Sequence, residues 1–183
     1  MLDRTTRSRG PICERTAAEL ERFDVPTLRD VLDRYRDCRI IIELKVNRPE
    51  LSRAVVDAVR RADATDRVCA ASFGLRALRE VRRLEPAMAT SAAREEVRWA
   101  LYRSWCGWPV ARVRYDAYQV PEWSGPTHVV SPRFVRYAHA AGLRVQVWTV
   151  DREADAHRLL GWGVDALITD RPDIIVPICA NLR

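Results

Sequence analysis

Two spacings of apolar residues take turns along this chain, one helical and one strand-like. Between Thr27 and Asp37, Leu28, Val31, Leu32 and Tyr35 return at intervals that put them on one side of a helix. A shorter helix is expected over "TAAELERF", where Thr16 and Glu19 have the spacing of a capping box, and Pro26 with Thr27 opens the longer one. The period then changes, and the β-branched run from Ile40 to Val46 reads as a strand. After it come a helix "PELSRAVVDAVRRA", a strand "RVCAASF", a helix "GLRALREVRRLEP" and a short strand near "AMATSA". A helix "AREEVRWALYRSW" closes at Gly107 and Pro109, followed by a strand "YDAYQVP" and a loop holding Gly125 and Pro126. The helix "SPRFVRYAHAAG" stops at Gly142. The strand "LRVQVWTV", the helix "READAHRLLGWG" and the strand "DALITD" complete the series.

About six strands alternating this regularly with helices predict a parallel α/β fold, layered or closed into a barrel, because parallel neighbours need a crossover and a helix supplies it. No linker-like stretch interrupts the series, so residues 1–183 read as a single domain.

Strand alternation then assigns faces. Ile41, Glu43 and Lys45 share one side of their strand, and Ile40, Ile42 and Leu44 the other, which suits a helical layer. The first set points a carboxylate and an ammonium into the interior near the strand's C-terminal end, where parallel α/β folds place their active sites. A carboxylate buried there must be paired or metal-bound. Two readings follow: an internal Glu43–Lys45 ion pair, or a hard-cation ligand beside a point charge for a phosphate. Lys45 is the single lysine among 31 basic residues, which singles it out from the arginine background. In "LRVQVWTV" the same rule puts Arg144, Gln146 and Trp148 on one face and Val145, Val147 and Thr149 on the other. Trp148 is then either the filling of a barrel layer or a platform for a ligand.

Composition narrows the functional classes. The formal charge is +6, but the arginines are interleaved with acids along helices, which describes solvated helix faces rather than a nucleic-acid surface. No apolar run approaches the roughly 20 residues that span a bilayer, and the first ten residues lack the apolar core of a signal peptide, so a cytoplasmic protein is expected. Five cysteines without a C-x-x-C pair argue against a disulfide framework or a zinc site and suggest reduced, mostly core residues. His128, His139 and His157 fall in a loop and in helices, away from strand C-terminal ends. There is no H-x-x-x-H, G-x-S-x-G, Walker loop or G-x-G-x-x-G.

Seven short motifs, in order, resemble those of the glycerophosphodiester phosphodiesterase family. They are "LDRTT" at Leu2 to Thr6, "VPTLRDVL" at Val25 to Leu32, "IIELK" at Ile41 to Lys45, "ASF" at Ala71 to Phe73, "QVPE" at Gln119 to Glu122, "VWTVD" at Val147 to Asp151 and "GVDALITDRPD" at Gly163 to Asp173. The resemblance implies a TIM-type parallel βα barrel and a metal-dependent phosphoric diester hydrolase of lipid and glycerol metabolism. Such an enzyme releases an alcohol and glycerol 3-phosphate with the help of Ca or Mg. Carried over by motif, Glu43 is the metal ligand, Lys45 faces the phosphate, Trp148 lines the glycerol end, and Ser72 and Gln119 are further substrate-binding positions.

The family's N-terminal His-Arg-Gly, Glu-Asn, Glu-x-Asp and His-Asp motifs have no match in these residues, which open on "LDRTT". The resemblance therefore implies an incomplete barrel of about six of eight units. Both general acid–base histidines would be missing and cation binding impaired, so the 183 residues are expected to be inactive alone. Free barrel edges would favour self-association. The alternative expectation is a catalytically dead partial barrel serving as a binding or self-associating module. Two smaller departures are Gly74, where the family usually has Asp or Asn, and Asp151, where Asn is common.

Overall fold

Thr16 and Thr27 each start a helix by the same device. Their side chains accept from the backbone of Glu19 and Asp30, whose carboxylates reach back to the threonine N–H groups, so α1 (Ala17–Glu21) and α2 (Leu28–Arg34) both begin in a full capping box. The computed structural model describes residues 12–109 and 113–180. The "LDRTT" motif lies outside them.

Strand β1 (Ile40–Glu43) is shorter than its apolar run, and α3 (Pro49–Arg61) follows with proline in its first turn, where the missing N–H costs nothing. Then come β2 (Val68–Ala71), α4 (Leu75–Leu84), β3 (Ala89–Thr90) and α5 (Arg94–Cys106), which ends on Gly107 at φ 70°, a conformation glycine takes without strain. Strand β4 (Ala117–Pro121) leads into an antiparallel hairpin of β5 (Trp123–Ser124) and β6 (Thr127–His128). A plain loop was expected there; Gly125 and Pro126 instead form the turn of the hairpin, with Gly125 at positive φ. The chain continues through α6 (Pro132–His139), β7 (Arg144–Trp148), α7 (Glu153–Gly161), β8 (Ala166–Leu167) and α8 (Pro172–Ala180). The sequence pattern missed α8, since "PDIIVPICA" is apolar nearly all round and contains Pro177, which hides any helical period.

The main strands are parallel. One sheet has the order β1-β2-β3 and the other β4-β7-β8. A parallel bridge between Ser91 and Ala117 joins them, flanked by Ala92 N–H to the Ala117 carbonyl (2.8 Å) and Asp116 N–H to the Thr90 carbonyl (2.9 Å). Each sheet packs its outer side on helices, giving two cores. One gathers Leu32, Leu44, Val56, Val59, Leu78 and Val81 around β1–β3, and the other Tyr118, Val120, Phe134, Val145, Val147 and Leu159 around β4–β8. Arg82 braces the seam: from α4 it bonds the Thr90 hydroxyl, the Ser91 carbonyl and both carboxylate oxygens of Glu96 on α5. No helix among the described residues is long and apolar enough to cross a membrane.

Candidate active site

Pairing in register sets the site. Glu43 lies opposite Ala71, and the N–H of Leu44 continues the ladder to the Ala71 carbonyl at 2.7 Å, so the C-terminal ends of β1 and β2 finish level. Glu43 and Lys45 project to the same side, as alternation requires, and Lys45 Nζ donates to Glu43 Oε2 at 2.5 Å. The pair was expected to be buried. It is not: the Glu43 side chain is 37% and that of Lys45 72% exposed. Among the described residues β1 stands at the end of its sheet with β2 as its one neighbour, and the side bearing Ile41, Glu43 and Lys45 opens to solvent. Water screens an ion pair of this kind, and its energetic value is small.

Beside it, Ser72 is buried, and both capacities of its hydroxyl serve the backbone. It donates to the Leu44 carbonyl (2.8 Å) and accepts from the Gly74 N–H (3.0 Å), tying the end of β1 to the start of α4. Phe73, next along, meets Trp148 edge-to-face at 5.9 Å, and the Arg94 guanidinium lies over the same Phe73 ring, 5.1 Å from its centre. Trp148 therefore stands at the C-terminal mouth of β7 against an aromatic partner on β2's loop. Its faces follow the expected alternation, with Val145 and Val147 fully buried in the helical layer.

Deeper inside, Gln119 Nε2 donates to Gln146 Oε1 at 2.8 Å and approaches Cys69 Sγ at 3.8 Å. Burial, with a contribution from the Asp116 charge, pushes the Cys69 thiol up to about 11, so it is a protonated and inert thiol at neutral pH. Cys38 and Cys106 are exposed rather than core residues, contrary to expectation, because one ends the turn after α2 and the other sits on the solvent side of α5. The histidines keep to structural contacts: His139 bonds Asp165 at 2.9 Å, and His128 stacks on Trp123 at 4.2 Å.

The two sequence departures acquire physical reasons. A Cβ on Gly74 would overlap the Asn47 side chain, whose Oδ1 accepts the Ala77 N–H at 2.9 Å and so caps α4 from the β1–α3 loop. Asp151 accepts from the Thr169 hydroxyl and the Asp170 N–H, both at 2.8 Å, pinning the end of β7 to the loop after β8. Asn47, Phe73, Arg94 and Arg82 were not singled out from sequence. Phe73 was legible as the residue closing a strand motif; Asn47 and Arg94 depend on partners 30 and 21 positions away, and Arg82 on partners 8 to 14 positions away that no helical or strand period brings together.

Residues 1–174 match the model of the glycerophosphoryl diester phosphodiesterase family. The chain belongs to that family. Among curated glycerophosphodiester phosphodiesterase relatives, the probable glycerophosphodiester phosphodiesterase 2 of Mycobacterium tuberculosis is 34% identical over 157 residues, covering 82% of this chain and 58% of that protein. The glycerophosphodiester phosphodiesterase of Bacillus subtilis is 27% identical over 204 residues, 94% of this chain and 67% of its own length. The fold of an Oleispira antarctica phosphodiesterase, solved in complex with the product sn-glycerol-3-phosphate, superposes with a TM-score of 0.76 at 21% identity, over 98% of this chain and 76% of that one. The chain thus spans from just over half to about three quarters of the length of these three proteins.

A divalent cation requires about six oxygen ligands. Among the described residues no group of three or more His, Cys, Asp or Glu side chains converges, and Glu43 is engaged by Lys45. The described residues do not by themselves make a cation site.

Proposed function

We propose that this protein takes part in the hydrolysis of glycerophosphodiesters to an alcohol and glycerol 3-phosphate. Its chain would supply the phosphate- and glycerol-binding half of the site. The observation that carries the reading is the Glu43–Lys45 pair at the C-terminal end of β1, in a chain whose family match covers residues 1–174. Lys45 presents a compact, mobile, largely exposed ammonium, suited to a phosphate oxygen in a way that an arginine fork is not. Trp148, braced by Phe73, offers an apolar wall for the glycerol carbons, and Arg94 adds a second cation above that wall. Gln119 and its partner Gln146 offer amide groups to hydroxyls deeper in the interior. Glu43 is one carboxylate of a ligand set for Ca or Mg whose other members are not among the described residues.

In this reading the six parallel strands are six of the eight units of a TIM-type barrel, and the open side of β1 is where further units would pair. The general acid and base are then absent from the 183 residues, and the chain alone turns over no substrate. A second reading, association of two copies through β1, draws on the exposure of Ile41 (46%) on that edge strand.

The experiment measures release of glycerol 3-phosphate from glycerophosphocholine in Ca or Mg, together with calorimetric binding of sn-glycerol 3-phosphate to the wild type and to Lys45→Met and Trp148→Ala. Binding without turnover, weakened at least about tenfold by each substitution, is expected. Turnover by the 183 residues overturns the incomplete-site reading, and binding indifferent to both substitutions overturns the site. A tight dimer in sedimentation, without ligand binding, supports the second reading.

A further inference from the structure

Helix α5 has two apolar sides. Ala100, Leu101 and Ser104 turn inward, while Trp99, Tyr102, Trp105 and, beyond the Gly107 turn, Trp108 stand 48–63% exposed. Trp99 meets Tyr102 edge-on at 6.3 Å and Tyr102 meets Trp108 at 6.0 Å, so the rings form one continuous surface. Single exposed apolar residues need no explanation, but a contiguous row marks an interaction surface. Helix α5 packs between α4 and α6, its neighbours on both sides, so further βα units added beyond β1 or β8 would not cover this face.

The charges around the row indicate what does. Arg98 lies on the exposed side of the same helix. Arg103 donates to the Pro109 carbonyl at 3.2 Å, and Arg133 reaches from α6 to the Trp105 carbonyl at 3.0 Å. Arg136, one turn along α6, lines the same concavity as Trp108. None of these four forms an ion pair among the described residues, and Glu96, the acid beside Glu95 at the start of α5, is already held by Arg82. We propose that this aromatic and arginine face seats the protein on the headgroup region of an anionic lipid bilayer, with the indoles in the interface and the guanidinium groups on lipid phosphates.

Two other occupants fit less well. A second copy would set its own unpaired arginines against these, like charge facing like. A single-stranded nucleic acid needs ring faces free for successive bases to stack on, whereas Trp99, Tyr102 and Trp108 pack edge-to-face against one another. Orientation also agrees with a water-soluble substrate. The helix runs opposite to the strands, so its aromatic end lies at the rim away from Lys45 and Trp148, and lipid contact there leaves the candidate site facing water.

The test uses vesicles of phosphatidylcholine with and without phosphatidylglycerol, read by co-sedimentation and by quenching of tryptophan emission with brominated lipid. Binding to the anionic vesicles alone, weakened by salt and reduced at least about tenfold in Trp105→Ser/Trp108→Ser and in Arg98→Glu/Arg133→Glu, is expected. Circular dichroism checks folding, and if the tryptophan variant unfolds, the exposed arginine variant decides. No binding, or binding that neither variant changes, overturns the proposal. So does a dimer lost in the tryptophan variant, or binding to single-stranded DNA in place of vesicles.

Discussion

The Asn47 side chain occupies the space that a Cβ on Gly74 would fill. Gly74 is therefore kept small by a neighbour from another loop, and its backbone, at φ −92°, is open to any residue. Gly74→Ala is expected to destabilise the fold by about 1–3 kcal/mol through displacement of Asn47. Asn47→Ala, which only uncaps α4, should cost about 0.5–2 kcal/mol. Because the double variant removes the overlap, its loss should be smaller than the sum, which a denaturant-unfolding cycle measures directly.

Both hydrogen bonds of the buried Ser72 hydroxyl go to the backbone, its proton to the Leu44 carbonyl and one lone pair to the Gly74 N–H. Ser72→Ala should lower stability by about 1–3 kcal/mol, since it strands a buried carbonyl and an N–H. Affinity for sn-glycerol 3-phosphate should stay within twofold or so of the wild type. A large affinity loss at unchanged stability would instead make Ser72 a ligand contact.

Arg82 is the cation at the seam, 11% exposed, with its charge matched by Glu96 and its plane 5.6 Å from the Tyr115 ring centre. Arg82→Met leaves Glu96 facing an apolar side chain and the Ser91 carbonyl without a donor. A loss of about 2–4 kcal/mol in urea unfolding is expected, exceeding that of Glu96→Gln, which keeps an acceptor for the Ala93 N–H.

Arg83 on α4 and then Arg53 on α3 hold the Glu80 carboxyl down at about 2, against an ordinary 4.5. A depressed carboxylate stabilises the fold above its unfolded value and loses that contribution as pH falls through its folded one. The contribution of Glu80 is therefore complete above about pH 4.5 and declines toward pH 2. Melting temperatures of wild type and Glu80→Gln should converge over that interval and differ above it.

The thiol of Cys69 is held protonated by its surroundings, whereas Cys38 and Cys106 are exposed. At pH 8, a thiol reagent followed by peptide mapping should label Cys38 and Cys106 first and reach Cys69 only when the protein is unfolded.

Much of the fold was readable from local pattern. The capping box at Thr16, the helix start at Thr27, the alternation of Val145 and Val147 against Gln146 and Trp148, and the stop at Gly107 all appear where the sequence predicts them, since each depends on neighbours within a few positions. The shared face of Glu43 and Lys45 was readable for the same reason. Its exposure was not, because burial depends on which strand lies alongside β1, and spacing along one strand carries no such information. Likewise, Asn47 lies just before α3 in sequence, yet its side chain caps the neighbouring α4 at Ala77, 30 positions on.

The two apolar cores meet along a narrow line, the stretch from Thr90 to Ala92 against Asp116 and Ala117; the Asp116 carboxylate crosses it to accept the Thr90 N–H at 2.8 Å, and Arg82 meets it from α4 with its guanidinium over the Tyr115 ring. Such a boundary divides the molecule into two cooperative units that can open separately. Amide hydrogens on β2 and β7 should consequently exchange with two distinct protection free energies, and cutting the Arg82 brace should lower the weaker one without touching the packing inside either half.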